Sequence, residues 1–302
     1  MDFRLTADQR ALREGTRELL AGRFGREGLR GAVSAATAAV DNSGLDREVW
    51  EALGAAGFFT LRVPEADGGV GLGMPEAVLV FEEAGRALVP GPLVATHLAA
   101  PLVSEPGAVV TAVWEPGGLV DHLADADYVL SGAELLPAAE VRAVASAVRS
   151  VDPLTPLHRA AGVPGPRLVP EAALLTAALQ LGTAGWAVDA AVAYAKEREQ
   201  FGRPIGSFQA VQHLCAQLLV RAEPARAAVY AAAVTGDPGE IAAAKLLADE
   251  AAVAGMRDCL QVYGGMGFTW EADVHLQLKR AWLRAEQWQR AGATEEALAA
   301  AL

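Results

Sequence analysis

Cysteine is almost absent from this chain: Cys215 and Cys259 are the only two in 302 residues. Both lie inside apolar helical segments, so they read as buried free thiols rather than as a disulfide or a metal-ligand pair. A cationic excess is lacking too. Lys and Arg number 25 against 37 Asp and Glu, a formal net charge of −12 and a pI near 4.9. That leaves no positive footprint for nucleic-acid phosphates and suits solubility instead. Also missing is any purely apolar run of membrane-spanning length with membrane flanks; the Ala-rich stretches read as buried bundle helices. The opening Met1-Asp2-Phe3-Arg4-Leu5-Thr6 has no signal-peptide pattern. The expected location is therefore cytoplasmic, with neither membrane nor nucleic acid as a partner.

What the chain has in plenty is apolar helix. At 52% hydrophobic residues it is neither disordered nor a coiled coil, and its length allows two or three domains. Residues 5–22 form a first helix with Thr6 as N-cap, and Asp46 to Ala56 a second, closed by Gly57. The run Asp67-Gly68-Gly69-Val70-Gly71-Leu72-Gly73 lacks the strand before and the Lys-Ser/Thr helix after that a phosphate cradle needs, and reads as a connection. Helices follow at Pro75 to Leu88 and Leu93 to Val103. Then the pattern changes: Ala108 to Trp114, Tyr128 to Leu130 and Val141 to Val148 are strand-like. From Leu168 it returns to helices at roughly 168–198, 207–233, 239–262 and 272–290, with a tail helix to 301 and a kink expected at Pro224. The expected fold is mainly α: an N-terminal helical domain over 1–104, a shortened β middle region over 105–165, and a C-terminal four-helix bundle over 166–302.

The corner between the first two bundle helices, Lys196 to Gln209, is chemically the densest stretch. Gly202 and Pro204 explain a turn there. They do not explain why Arg198, Gln200 and Phe201 crowd it. A guanidinium beside an aromatic ring at a helix end suits an anionic, planar ligand. A solvated helix end with one aromatic turned inward is the plainer alternative.

The residues from Arg198 to Gln212, R-E-Q-F-G-R-P-I-G-S-F-Q-A-V-Q, resemble the signature between the first two long C-terminal helices of acyl-CoA dehydrogenases. Gln261-Val262-Tyr263-Gly264-Gly265-Met266-Gly267-Phe268 resembles the family's Q-x-x-G-G-x-G-F block, and Ala56 to Glu65 with Gly68-Gly69-Val70-Gly71 resembles its N-terminal helical domain. The likeness covers residues 1 to about 104 and about 166 to 290 and fails between them. The family's middle domain is a longer β-barrel that holds the flavin ring and opens the thioester site. Here its Gly-Ser-Asp and Trp-x-Thr patterns are missing, and Val113-Trp114-Glu115-Pro116-Gly117-Gly118 is the nearest equivalent. The resemblance therefore implies a truncated barrel that has lost its ligand-binding face.

The implied chemistry is α,β-dehydrogenation of an acyl-CoA: a carboxylate takes the α-proton while the β-hydrogen leaves as hydride to FAD. Of the family's two positions for that base, one falls on Trp288 and the other on Ala172. Glu171 is one register off, a rotation of about 100° on a helix. Glu271 matches a position that is not the base and reads as a carboxylate at a helix N-terminus. No catalytic residue carries over. What does carry over is the share of a cofactor site that the family's bundle lends to a neighbouring subunit's FAD: Arg198, Gln200 and Phe201, then Gln261, Gly264 and Gly265. The resemblance thus implies the short subunit of a heteromeric (α2β2) steroid-degrading acyl-CoA dehydrogenase. Its FAD would be shared with a full-length homologue that binds most of the acyl-CoA, with an electron acceptor of unspecified identity. Two rivals remain open: a self-sufficient homo-oligomer using Glu171 or Glu286 as base, and a flavin-free helical scaffold.

Overall fold

The computed structural model describes residues 4–38, 44–103, 105, 107–114, 118–166 and 169–300. Residues 1–3, 104, 115–117, 168, 301 and 302, which figure in the expectations above, lie outside that set. The N-terminal part holds α1 (Ala7–Arg23), α2 (Arg26–Ala38), α3 (Arg47–Ala55), α4 (Met74–Arg86) and α5 (Leu93–Ala99). Thr6 caps α1 as expected, in a reciprocal capping box with Gln9. Asp46 caps α3, accepting from the N–H groups of Glu48 and Val49. The periodicity argument did not anticipate α2, whose Gly28 and Gly31 weaken helical propensity. Its helix is held by burial of Leu29 and Val33, one turn apart, against the core.

The middle part carries β1 (Val110–Ala112), β2 (Leu119–Asp121), β3 (Tyr128–Ser131), β4 (Glu134–Pro137), α6 (Ala138–Val144), β5 (Ser146–Val148) and β6 (Leu157–Arg159). They form two three-stranded sheets, ordered β1-β3-β4 and β2-β6-β5, joined by a bridge between Val113 and Val120. The strand expected over Val141 to Val148 is instead α6 followed by the short β5. Tertiary contact overrides the β-branched content: α6 buries Ala138 and Val141, and Arg142 reaches the carbonyls of Leu123 and Ala126 at 3.0 and 2.9 Å.

The C-terminal part consists of α7 (Val169–Glu197), the two-stranded hairpin β7 (Glu199–Gln200) and β8 (Arg203–Pro204), then α8 (Gln209–Thr235), α9 (Pro238–Tyr263), α10 (Val274–Glu286) and the tail helix α11 (Ala291–Ala300). α8 runs unbroken through Pro224. Pro224 offers no N–H to the carbonyl of Val220, and both residues lie on the exposed side of the helix. α10 stops at Glu286, short of the expected 290, because Gln287 turns extended and Trp288 takes a left-handed φ of +66°.

The N-terminal helices sit on the bundle through one close crossing. A Cβ on Gly85 of α4 would lie 2.1 Å from the Leu179 carbonyl oxygen, and one on Gly182 of α7 would lie 1.9 Å from that of Glu82. Two glycines thus let α4 and α7 touch backbone to backbone. One hydrophobic cluster runs through all three parts, from Leu20 and Trp50 through Val120 and Leu154 to Ala248.

Candidate cofactor-lending end and a closed cleft

Two of the sequence blocks meet at one end of the bundle. After α7, the chain turns back between β7 and β8 on the two-residue loop Phe201-Gly202. Both loop residues have left-handed φ, +54° and +77°, as the tight turn matching strand twist requires. Glycine meets that requirement freely, whereas for Phe201 it costs about 1–2 kcal/mol. The Phe201 ring is not tucked inward; it is 91% exposed and meets only the edge of Phe208 at 6.1 Å among the ring contacts. The hairpin is fastened to α7: the Arg198 N–H donates to the Tyr194 carbonyl at 2.8 Å, and the Ile205 N–H to that of Arg198 at 2.7 Å.

The second block closes α9. Gly264, with φ +59°, gives its N–H to the carbonyls of Gln261 and Leu260, and a 3-10 turn over Gly264–Phe268 follows. The Tyr263 ring stacks on Tyr194 at 4.1 Å and 11°. Tyr194 lies one turn before Arg198, so this stack ties the two blocks together. Beneath it Ala191, Ala195, Met256, Cys259 and Val262 form a buried cluster that also receives Ile205. Arg198, Gln200, Gln261 and Gly265 are exposed above it and Gly264 is half-buried. A Cβ at Gly264 or Gly265 would meet nothing within 4 Å, so a ligand can approach this backbone. Phe268 and Trp270 are also exposed, at 73% and 59%. The Trp270 ring meets His275 edge-on at 4.8 Å and carries the Lys279 ammonium over its face at 4.8 Å. The stacking of Tyr194 on Tyr263 was not legible in the motifs, because the two rings come from different helices. The Cys259 thiol, pushed by burial up to about 12, is inert here.

The other face of the bundle is closed. α10 turns a polar stripe inward: Gln277, Arg280 and Arg284, continued by Gln287, are all buried. Their spacing of three and four is visible in the sequence and was the signal that could have exposed this interior. Arg280 forms a buried ion pair with Asp152 of the middle part and donates to the carbonyls of Val89 at 3.1 Å and Leu154 at 3.3 Å. Burial alone would raise the Asp152 carboxyl. The charge of Arg280, with hydrogen bonds from Thr155 and the Leu154 N–H, outweighs it and holds that carboxyl below the usual range. Arg284 forms no ion pair among the described residues and reaches the Leu179 carbonyl at 3.3 Å; burial and the nearby Arg280 push it well down, against the charge of Asp152. Deeper in, Lys245 pairs with Asp249, which Gln180 also holds.

Arg280, Arg284, Asp121, Gln287 and Trp288 surround what space remains, a cavity of about 30 Å³. That is room for a water or two. It is far short of the several hundred Å³ of a small-molecule site. Trp288 packs at once against the main core, the α5–β1 cluster and the Trp114–Leu157–Leu283 cluster. The two carboxylates considered as relocated bases lie elsewhere. Glu171 sits in the first turn of α7, and Glu286 is exposed, 3.3 Å from Arg290. Glu271 is exposed, its carbonyl accepting from Arg26 at 2.8 Å. Among the described residues no group of acidic, His and Cys side chains could hold a metal ion, and no helix is long and apolar enough to cross a membrane.

Comparison with known proteins matches residues 6–108 to the acyl-CoA dehydrogenase N-terminal domain and residues 169–298 to the acyl-CoA dehydrogenase C-terminal domain. Acyl-CoA dehydrogenase IpdE2 of Mycobacterium tuberculosis is 36% identical, covering 91% of this chain and 91% of its own. Acyl-CoA dehydrogenase FadE34 of the same organism is 39% identical over 88% of this chain, which spans only 44% of the length of FadE34. Among solved structures, the ChsE4-ChsE5 complex from Mycobacterium tuberculosis superposes with a TM-score of 0.83 at 24% identity, covering 99% of this chain and 98% of the other. The Tcur3481-Tcur3483 steroid ACAD superposes at 0.81, also at 24% identity, over 97% and 96%. At that identity the two structures support the fold alone.

Proposed function

Since the chain belongs to the acyl-CoA dehydrogenase family, we propose that it is the cofactor-completing subunit of a heteromeric acyl-CoA dehydrogenase, not catalytic by itself. The observation that carries this reading is the contrast between its two ends. One end presents Arg198, Gln200, Phe201, Gln261 and Gly265 to solvent beside the half-buried Gly264, while the space that Asp121, Arg280, Arg284 and Trp288 surround, which we read as the thioester cleft, holds about 30 Å³. FAD, when bound, supplies the hydride acceptor. The residues present fit its adenosine–pyrophosphate arm and not its ring. Arg198 offers a guanidinium for pyrophosphate, Phe201 an exposed aromatic face for a base, and Gly264-Gly265 open backbone. Asp121, the carboxylate in the lining of that cleft, is already held by the Thr111 hydroxyl at 2.9 Å and the Gln287 amide at 3.2 Å, with no room beside it for a thioester. On this reading proton abstraction, thioester polarisation and most acyl-CoA binding fall to the partner.

On this reading the chain divides functionally into residues 1–104, 105–165 and 166–302, and works in the cytoplasm in a heterotetramer with a full-length homologue. The names of the two solved structures, one a complex and one a steroid ACAD, favour a two-chain assembly and a steroid side-chain or ring-fragment CoA as substrate. FadE34 favours it too, since more than half of that chain lies outside the match, length enough for a catalytic partner half joined covalently to the completing one. The test is co-expression with the full-length homologue and purification through a tag on this chain. The expected product is a yellow heteromer with a flavin for each pair of chains, colourless protein from this chain alone, and loss of flavin with Arg198→Ala. A yellow homo-oligomer that turns over by itself would overturn the reading in favour of Glu171 or Glu286. A colourless complex, in which Arg198→Ala has no effect on any ligand, would favour a flavin-free scaffold.

A further inference from the structure

A second opening lies away from both of these places, between the N-terminal helices and the bundle. It encloses about 400 Å³, within the range of small-molecule sites. Its floor is apolar: Leu20 of α1, Phe24 in the turn after it and Leu29 of α2 lie buried beneath it, with Trp186 of α7 half-buried opposite. The polar lining is unequal: three guanidinium groups, Arg17, Arg26 and Arg86, against two carboxylates, Glu83 and Asp273. Arg17 is satisfied by Glu83 in a two-pronged contact at 2.8 and 2.7 Å. Asp273 is shared between Arg26 and Arg30, so it neutralises neither fully. Arg86 has no carboxylate partner within the lining. The acid it meets, Asp189, is 65% exposed to water, while the Arg86 side chain is only 28% exposed. The opening therefore combines an apolar floor with guanidinium groups, of which Arg86, its ion-pair partner Asp189 open to water, is the one an entering anion can share.

We propose that this opening binds an amphiphile with an anionic head, a carboxylate or phosphate on an aliphatic body, its head on Arg86 and its body along Leu20, Phe24 and Trp186. A ligand there would bridge α1 and α2 to α4, α7 and α10. Isothermal titration of the full chain with octanoate, decanoate, dodecanoate, dodecyl phosphate and dodecanol tests it. The anionic C12 compounds bind roughly tenfold or more tightly than dodecanol, and affinity rises with chain length by roughly fourfold per methylene buried. Whichever of dodecanoate and dodecyl phosphate binds more tightly identifies the head. Arg86→Gln brings the anions down to the affinity of dodecanol. Ala21→Trp, at an exposed position on the lip, fills the opening and removes binding of all of them without touching a buried side chain. Dodecanol binding as well as dodecanoate, binding unchanged in Ala21→Trp, or no heat at millimolar ligand each overturns the proposal. None of these outcomes depends on flavin or on a partner chain.

Discussion

Replacing Arg280 by Met removes the guanidinium that joins α10 to the middle part, and the size of the loss follows from what is left behind. Asp152 has 0% of its side chain exposed, and it would keep only the Thr155 hydroxyl at 2.6 Å and the Leu154 N–H at 3.0 Å. An unpaired carboxylate at that depth takes up a proton instead of staying charged. Protonating a carboxyl of intrinsic pKa near 3.9 costs about 4 kcal/mol at pH 7 and about 1.5 kcal/mol at pH 5. The first figure agrees with the ~3–5 kcal/mol expected when one side of a buried ion pair is deleted. The sign is set by the variant's folded-state pKa, raised above the unfolded value: the part of the destabilisation due to Asp152 is absent below about pH 4 and grows as pH rises. It comes on top of a pH-independent loss of the hydrogen bonds to the Val89 and Leu154 carbonyls. Urea unfolding followed by circular dichroism at pH 5, 6 and 7 measures it as a difference from the unsubstituted chain, so other titrating groups cancel. Adding Asp152→Asn to Arg280→Met removes the ionisation and flattens the pH dependence. A loss below about 1 kcal/mol at pH 7, or one equal at pH 5 and 7, would refute the argument that this pair closes the cleft.

Three further outcomes are expected. Burial pushes the His97 imidazole down to about 4, against a hydrogen bond to the Phe58 carbonyl, so the folded chain resists the proton that the unfolded chain accepts below about 6.5. Stability then falls as pH drops from about 6.5 to 4, by about 3 kcal/mol, and His97→Phe reduces that slope in a series of denaturation midpoints. Phe201→Asn, a residue that tolerates left-handed φ, leaves stability unchanged or raised by about 1 kcal/mol while flavin retention by the two-chain complex falls. Lower stability instead would mean that the fold, not a ligand, requires the ring. Gly182→Ala places a Cβ against the Glu82 backbone and costs about 3 kcal/mol or more. Gly15→Ala on the open side of α1, where nothing lies within 4 Å, gains about 0.5–1 kcal/mol, both read by thermal unfolding.

Much of this protein is written locally. The bundle helices α7, α8 and α9 carry long apolar stretches, and their ends are marked by Gly202, Asp237 with Pro238, and Gly264, so their limits were legible to within a few residues. The glycine-and-proline turn after α7 and the three family blocks were legible for the same reason: turn chemistry and motifs act over a handful of neighbours. What could not be read came from partners far along the chain. α2 is helical despite two glycines because Leu29 and Val33 find the core and Arg26 and Arg30 reach Asp273. Val141 joins a helix because Arg142 is held by carbonyls of the preceding loop. Tyr194 meets Tyr263 only once α7 and α9 lie side by side. The sequence by itself determined the helical architecture and the family. Tertiary structure alone decided that the ring of Phe201 faces water and that Arg280, Asp152 and Trp288 close the cleft. The physical reason is that exposure and cavity volume depend on how distant segments pack, and no local pattern encodes them.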